Sequence, residues 1–440
     1  MKPWDPPEEH LFPVLDDLLL DWAARAEPPY GGLRLVGSRW SSACFAAKDF
    51  LSRNQVPYRW VDVDEDEPAR LLVDSVSNGL TSLPVVILGD GSMHAAPVPR
   101  QLADLVGLQT KASLPFYDVV IVGAGPSGLA AAVYAASEGL RTLVAEESAH
   151  GGQAGTSSRI ENYLGFPSGL SGADLAGRAT MQARRFGAEL LSATGVVAIR
   201  RDDPYRIVTL GDGSEVSCHA LILAMGVSVR RLEVTGSDRF AGAGVYYGAA
   251  MTEAAAYRGK PVCVIGAGNS AGQGALFYAR YASSVTIVVR GKALEHTMSR
   301  YLVDRIRAEP SIQVITDGEV NEILGEDTVE GVSIRCQDAT RTLDVSAVFV
   351  FIGARPHTEL VSELVDTDDK GFIVTGPDLP RRAGRPRRWK DARGPHLFET
   401  NVPGVFAVGD VRAGSGKRVA AAVGEGSACV SMVHAYLATV

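Results

Sequence analysis

Apolar and polar positions alternate along this chain in strand-like and helix-like segments from about residue 33 to the end. LRLVG (33–37) is a short apolar run, and 43–53 has helical spacing. YRWVDVD (58–64) alternates as a strand, 67–76 is again helical, and LPVVILGDG (83–91) reads as a strand with its turn. A helix over 99–106 completes a small α/β unit spanning 1–110, and QTKASLPFY (109–117) reads as the linker that follows. FYDVVIVGAGPSGLAAAVYAASEGLRTLVAEE (116–147) then predicts strand, glycine turn, helix and strand. KPVCVIGAGNSAGQGALFYARYASSVTIVVRG (260–291) repeats that layout. Strands alternating with helices imply a parallel sheet in each repeat. The expected class is therefore α/β: two Rossmann-like, three-layer dinucleotide-binding units behind a smaller α/β unit. PRRAGRPRRWKDARGP (380–395) is a basic, proline-rich interruption that reads as a loop. NVPGVFAVGDV (401–411) and an apolar-faced helix over 419–437 close the chain.

Composition narrows the function classes. At 440 residues the chain has room for roughly three domains of about 150 residues. Lys plus Arg at 43 against Asp plus Glu at 51 gives a net charge of -8, unlike the basic face of a nucleic-acid binder. No apolar run approaches the ~18–20 residues a membrane span needs. The opening MKPWDPPEEH lacks the basic and apolar regions of a signal peptide, so a cytoplasmic protein is expected. Cysteines at 44, 218, 263, 336 and 429 are too scattered for a disulfide framework, and no metal-ligand spacing occurs. Glycine is in excess, 47 of 440, as expected where several turns bring backbone close to a ligand.

The two glycine turns carry the chemistry. Gly123, Gly125 and Gly128 follow the strand DVVIV and open an Ala-rich helix at Pro126 and Ser127. In such a unit the first glycine makes the turn and the second lets backbone N–H groups reach a pyrophosphate. The third lets helix and strand pack closely. Glu146 ends the next strand about 20 residues on, where a carboxylate accepts hydrogen bonds from a ribose. The second turn has Gly266, Gly268 and Ala271, with Asn269 and Ser270 between. Its second strand ends on Arg290 where an NAD site carries an acid, which favours NADPH over NADH. Two dinucleotide sites in one chain imply a flavin on one and a nicotinamide on the other, and so hydride transfer.

From Tyr117 onward an ordered series of motifs covers nearly all of the chain. It runs through GAGPSG (123–128), GGQ (151–153), IENYLGFP (160–167), LAMG (223–226), RGKPVCVIGAGNSA (258–271), TNVPGVFAVGDV (400–411) and KRVAAAVGEG (417–426). On these residues the chain resembles the thioredoxin reductase family of low-molecular-weight flavoproteins. The resemblance implies an FAD-binding domain of 117–232 plus 355–440, with an NADPH-binding domain inserted at 233–354. It implies that Gly152, Gln153 and Asn162 hold the flavin region, that Gly409 and Asp410 hold the ribityl chain, and that Arg418, Val419 and Ala420 lie beside the flavin. A homodimer is also implied. The helix that starts there would stabilise negative charge on a reduced flavin.

The departures set the question. That family carries a CxxC pair just before the RGK segment, but GVYYGAAMTEAAAYRGK (244–260) has no cysteine, and Ala249, Ala250 and Met251 supply no thiolate. Cys263 sits inside the apolar strand VCVIG and reads as a buried thiol. The order of elements in the front unit resembles a thioredoxin or glutaredoxin, with WSSACFAAK (40–48) at the redox motif and TSLPVVIL (81–88) at the cis-proline loop, here Pro84. Ser41 stands in place of the attacking cysteine and only Cys44 remains. Cys44, at a helix start, has the setting for a lowered pKa and a monothiol role; the alternative is a degenerate domain kept for packing or docking. The arrangement also resembles the alkyl hydroperoxide reductase flavoprotein, whose front segment needs cysteines this chain lacks. Electrons would pass from NADPH to FAD and on to a ferredoxin-like protein, a quinone or oxygen. The alternatives are disulfide reduction through Cys44 or external thiols, and a nucleotide-binding redox sensor that turns over slowly. Arg381, Arg382, Arg385, Arg387, Arg388, Lys390 and Arg393 form a basic stretch suited either to a small acidic redox partner or to solvent.

Overall fold

A computed structural model describes residues 32–77, 83–157, 160, 162–247, 254–336, 339–382, 385–386, 389 and 391–440. The stretch at 248–253, Glu161, and Arg387, Arg388 and Lys390 lie outside the described residues, as do 1–31 of the front unit.

The front unit runs β1 (Arg34–Gly37), α1 (Ser42–Arg53), β2 (Arg59–Asp62), α2 (Glu67–Ser77), β3 (Val85–Ile87), β4 (Met93–Ala95) and α3 (Pro99–Leu105). Its sheet has the order β2-β1-β3-β4, with β1 and β2 parallel and the other pairs antiparallel. Helix α1 starts at Ser41, whose hydroxyl accepts the Cys44 N–H at 3.3 Å; a serine in this place caps the helix. The Leu83–Pro84 peptide is cis. Strand β4 was not foreseen, because three half-exposed residues, MHA, carry no apolar alternation.

The larger part begins with β5 (Phe116–Val122), α4 (Pro126–Ser137), β6 (Thr142–Ala145), α5 (Gly172–Arg185), β7 (Glu189–Leu191), β8 (Val196–Asp202), β9 (Tyr205–Leu210) and β10 (Glu215–Leu223). The chain then leaves through β11 (Val227–Val229) into an inserted unit. This comprises β12 (Val245–Tyr247), β13 (Pro261–Ile265), α6 (Asn269–Tyr278), β14 (Ser284–Val288), α7 (Arg300–Ala308), β15 (Ile312–Ile315), β16 (Gly318–Leu324), β17 (Gly331–Cys336), β18 (Ala339–Asp344) and β19 (Ala347–Val350). It returns through β20 (Ala354–Pro356) and ends with β21 (Val405–Ala407) and α8 (Val419–Leu437).

The first sheet has the order β7-β6-β5-β10-β9-β8, with β21 parallel to β10. Strands β7, β6, β5 and β10 are mutually parallel. Both faces are covered: Val119 and Ile121 pack toward α4 and α8, while Val120 and Val122 pack on the opposite face with Leu221, Leu223 and Val405. That double burial is why DVVIV reads as an unbroken apolar run. The inserted unit has a five-stranded parallel sheet, β12-β19-β13-β14-β15, and a separate antiparallel sheet, β16-β17-β18. Strands β11 and β20 pair with each other, so the outgoing and returning chains cross side by side. Among the described residues no helix is long and apolar enough to cross a membrane.

Helix α1 of the front unit touches both neighbours. Near its start, Phe45 lies 5.3 Å from the ring of Tyr246 in the inserted unit. At its end, Arg53 reaches the loop after β6.

Candidate cofactor sites

The first glycine turn is built by contact distances that only glycine satisfies. A Cβ on Gly123 (φ 99°) would lie 2.5 Å from the Ala224 carbonyl oxygen, and one on Gly128 would lie 1.9 Å from the Gly123 oxygen. A Cβ on Gly125 would meet nothing within 4 Å, so that residue faces open space at the start of α4. No side chain caps α4 at Gly125, and Pro126 occupies its first turn, so the remaining free N–H groups face the opening. This end of the helix is an anion site in waiting.

Other segments close around it. The Gly151 N–H donates to the Ala124 oxygen at 2.7 Å, and a Cβ on Gly152 would fall 3.0 Å from Gly125 Cα. Glu146 directly follows β6, its carboxylate accepting the N–H of Ala124 at 2.8 Å and of Ser148 at 3.0 Å. Burial pushes its pKa up against those two bonds. Gly409 (φ 73°) is so near α4 that a Cβ would lie 2.4 Å from Ser127 Oγ. Asp410 leaves one buried carboxylate oxygen without a hydrogen-bond partner, and burial raises its pKa. Helix α8 begins after Arg418, again with no side-chain cap, at Val419 and Ala420. Gln153 and Asn162 are exposed, and among the described residues no hydrogen bond links their side chains to the turn.

Sequence reading missed three supports. Glu425 accepts the Gly409 N–H at 2.7 Å and takes two bonds from Arg412, at 2.6 and 3.0 Å, which fixes the Asp410 turn. Lys417 donates to the Asp410 carbonyl oxygen. His150, one residue before the Gly151–Gly152 pair, is buried beside Leu191 and Ser192, and burial lowers its pKa to about 4. Arg412 follows NVPGVFAVGDV directly, and Lys417 and Glu425 lie within KRVAAAVGEG, but nothing in their spacing announces the contacts.

The second turn has the same logic with looser packing. A Cβ on Gly266 (φ 140°) would lie 2.3 Å from the Phe351 oxygen, whereas Gly268 faces open space at the uncapped start of α6. Asn269 accepts the Ser299 N–H at 2.7 Å, Ser270 is exposed, and Ala271 is fully buried against the sheet. Arg290 is exposed past the end of β14, where Lys292, Asp317, Gly318, Glu319 and Arg335 join it around a cleft of about 480 Å³. Arg335 is engaged with Glu319 at 2.6 Å.

Two expectations need correction. Cys44 is not poised as a thiolate: its side chain is buried, with a Cβ on Gly37 falling 2.4 Å from its sulfur, and burial pushes its pKa up. Nor is Arg393 available for docking, since it forms a two-pronged ion pair with the fully buried Glu399 at 2.6 and 2.7 Å. The other three buried thiols are no more reactive. Cys218 and Cys263 are buried with pKa pushed up to about 12, Cys429 is buried and raised further, and Cys336 sits half-buried in β17.

The uncapped helix starts, the glycine cradles and the unsatisfied oxygen of Asp410 suit dinucleotides well. Comparison with known proteins agrees. Residues 117–426 match the family described as pyridine nucleotide-disulphide oxidoreductase, and 41–92 match glutaredoxin. The thioredoxin reductase of Mycolicibacterium smegmatis is 35% identical over 324 residues, covering 73% of this chain and 97% of that protein. The "34.2 kDa protein in rubredoxin operon" of Clostridium pasteurianum is 32% identical over 322 residues, again covering 73% and 97%. The structure of Lactococcus lactis thioredoxin reductase, in its FR conformation, superposes with TM-score 0.65 at 30% identity, covering 74% of this chain and all of that one. The chain is an oxidoreductase that belongs to the pyridine nucleotide-disulphide oxidoreductase family, in its thioredoxin reductase-like, FAD-containing and NADPH-dependent branch.

Proposed function

We propose that this enzyme takes electrons from NADPH and delivers them from its flavin to an acceptor other than a protein dithiol. The carrying observation is the combination of a family match over 117–426 with no cysteine at all in 244–260. The five thiols that do exist are free, and four of them are buried. Disulfide exchange needs an accessible thiolate, and none of the four buried thiols offers one.

In this reading 117–232 with 355–440 binds FAD and 233–354 binds NADPH. The N-terminus of α4 holds the diphosphate of FAD, Glu146 accepts from a ribose, and Asp410 accepts from the ribityl chain. Arg290 faces the 2′-phosphate of NADPH, with Lys292 beside it. The bare start of α8 offers its positive end to the flavin ring. When bound, FAD supplies the step between a two-electron hydride donor and an acceptor that takes one or two electrons. A small one-electron protein is a fitting acceptor, in keeping with the operon named for the Clostridium pasteurianum relative. The family's homodimeric assembly is extended to this chain as part of the same proposal.

The test is an anaerobic titration with NADPH, followed by mixing with an oxidised rubredoxin or ferredoxin, a quinone, oxygen or thioredoxin disulfide. Rapid reoxidation by one of the first three, unchanged in Cys44→Ser, is expected. A second reading, disulfide reduction with external thiols, draws support from the thioredoxin reductases among the relatives. Thioredoxin-disulfide reduction that disappears in Cys44→Ser would overturn the proposal, and a flavin that NADPH never bleaches would mark a sensor instead.

A further inference from the structure

The front unit is seated on the mouth of the first glycine site. Parallel α/β sheets bind ligands at the carboxyl ends of their strands, and here those ends include the loops after β6 and β7. Both loops are held by the front unit and its linker. The Ser192 N–H donates to the Gln109 oxygen at 2.8 Å, and Thr194 Oγ1 donates to the Thr110 oxygen at 2.8 Å. Ala193 is part of the front unit's own apolar cluster, with Leu35, Phe50 and Leu102. Gln55 presses on α5 so closely that a Cβ on Gly177 would lie 2.1 Å from its Nε2.

Arg53, the last residue of α1, reaches between these loops. It donates to Ser148 Oγ at 3.5 Å and to the Gly152 carbonyl oxygen at 3.4 Å, both long for a guanidinium, and its buried Nε has no partner. Its ion partner Asp49, one turn back, is 3.6 Å away. Gly152 is the residue that nearly touches Gly125, so the guanidinium stands one residue away from the diphosphate cradle. Its charge also acts on Glu146, favouring the ionised carboxylate that a ribose needs. A planar cation whose terminal nitrogens make only two long contacts, beside a bare helix N-terminus, is the arrangement that grips a phosphate.

We propose that Arg53 of the front unit binds the adenosine diphosphate half of FAD in the first site. The front unit then serves as a wall of the flavin site, which accounts for its retention after the loss of its attacking cysteine. This rests on the reading that the first turn holds FAD.

The test uses the full-length apoprotein titrated with FAD and with FMN, which lacks the adenosine half, both followed by flavin fluorescence. Arg53→Gln is expected to weaken FAD about tenfold while FMN changes by less than about twofold. Arg53→Lys, which keeps the charge but loses the fork, should recover part of the FAD affinity. Gln55→Ala disturbs the same docking surface without touching the cradle and should bind FAD as wild type does. FAD binding by Arg53→Gln within about twofold of wild type would overturn the proposal. So would an equal loss for FMN, or an equal loss in Gln55→Ala. If Arg53→Gln fails to fold, the Arg53→Lys and Gln55→Ala pair decides by the same FAD-to-FMN ratio. Wild-type apoprotein that takes up no FAD would instead remove the reading of the first site, and this proposal with it.

Discussion

The two glycine turns share one pattern and differ in enclosure. The first is packed from four directions: Gly123 against Ala224, Gly128 against its own turn, Gly152 against Gly125, and Gly409 against Ser127. Arg53 of the front unit reaches the Gly152 oxygen beside it. The second has alanine at the third place and an exposed Arg290 in an open cleft. On the proposed reading, the more tightly framed turn would hold the resident group, while the open cleft would take the cosubstrate that exchanges each turnover. The depth of packing, rather than the motif, separates the two roles.

Exchanging the third residues would break this comparison most sharply. Gly128→Ala drives a methyl onto the Gly123 oxygen and should cost at least about 3 kcal/mol, with loss of bound flavin. Ala271→Gly should cost only about 1 kcal/mol, since it removes one buried methyl and loosens α6. Thermal melts and the flavin absorbance of purified protein read both.

The next effect is acid sensitivity of the first site. His150 is buried in its neutral form with a folded pKa of about 4, below the ordinary 6.5. Its contribution is fully present above pH 6.5 and is lost as the pH falls from there toward 4, by up to roughly 3 kcal/mol. Urea melts at neutral and acid pH should show that slope, and His150→Gln should flatten it. A smaller effect belongs to the second site. Arg290→Gln should raise the KM for NADPH about tenfold and leave that for NADH within about twofold, measured by steady-state kinetics. The smallest is the carboxyl at 410. Its raised pKa means that ionisation opposes folding, so the apoprotein should lose stability as pH climbs through that raised value. Asp410→Asn should remove that loss, as read by melting temperature across the pH range.

Legibility followed the range of the forces involved. Gly123, Gly128 and Gly266 were readable because a glycine's constraint is local: strand, turn and helix lie within a few residues. Helix α8 was placed at its observed limits, since its apolar face is continuous over 419–437. The sheet β16-β17-β18 was not foreseen, because strands such as ATRTLD are almost wholly exposed and show no buried stripe. Glu425, His150 and Arg53 were equally invisible. Each acts across a distance in sequence that no spacing rule spans, up to 99 residues from Arg53 to Gly152. Cys44 misled for the opposite reason: its place near a helix start was right, but its sulfur lies against Gly37 in an apolar cluster that Trp60 packs on.

The neighbouring crossings at β11 and β20 have an evolutionary meaning. Their three residue pairs, Val227 with Pro356, Ser228 with Arg355 and Val229 with Ala354, bring both ends of the insertion to one point. A segment anchored at a single point is a cassette: it can be traded or rewritten without opening the sheet that it interrupts. On the proposed reading, a lineage could therefore trade the unit that takes the nicotinamide while the sheet assigned to the flavin stays unaltered.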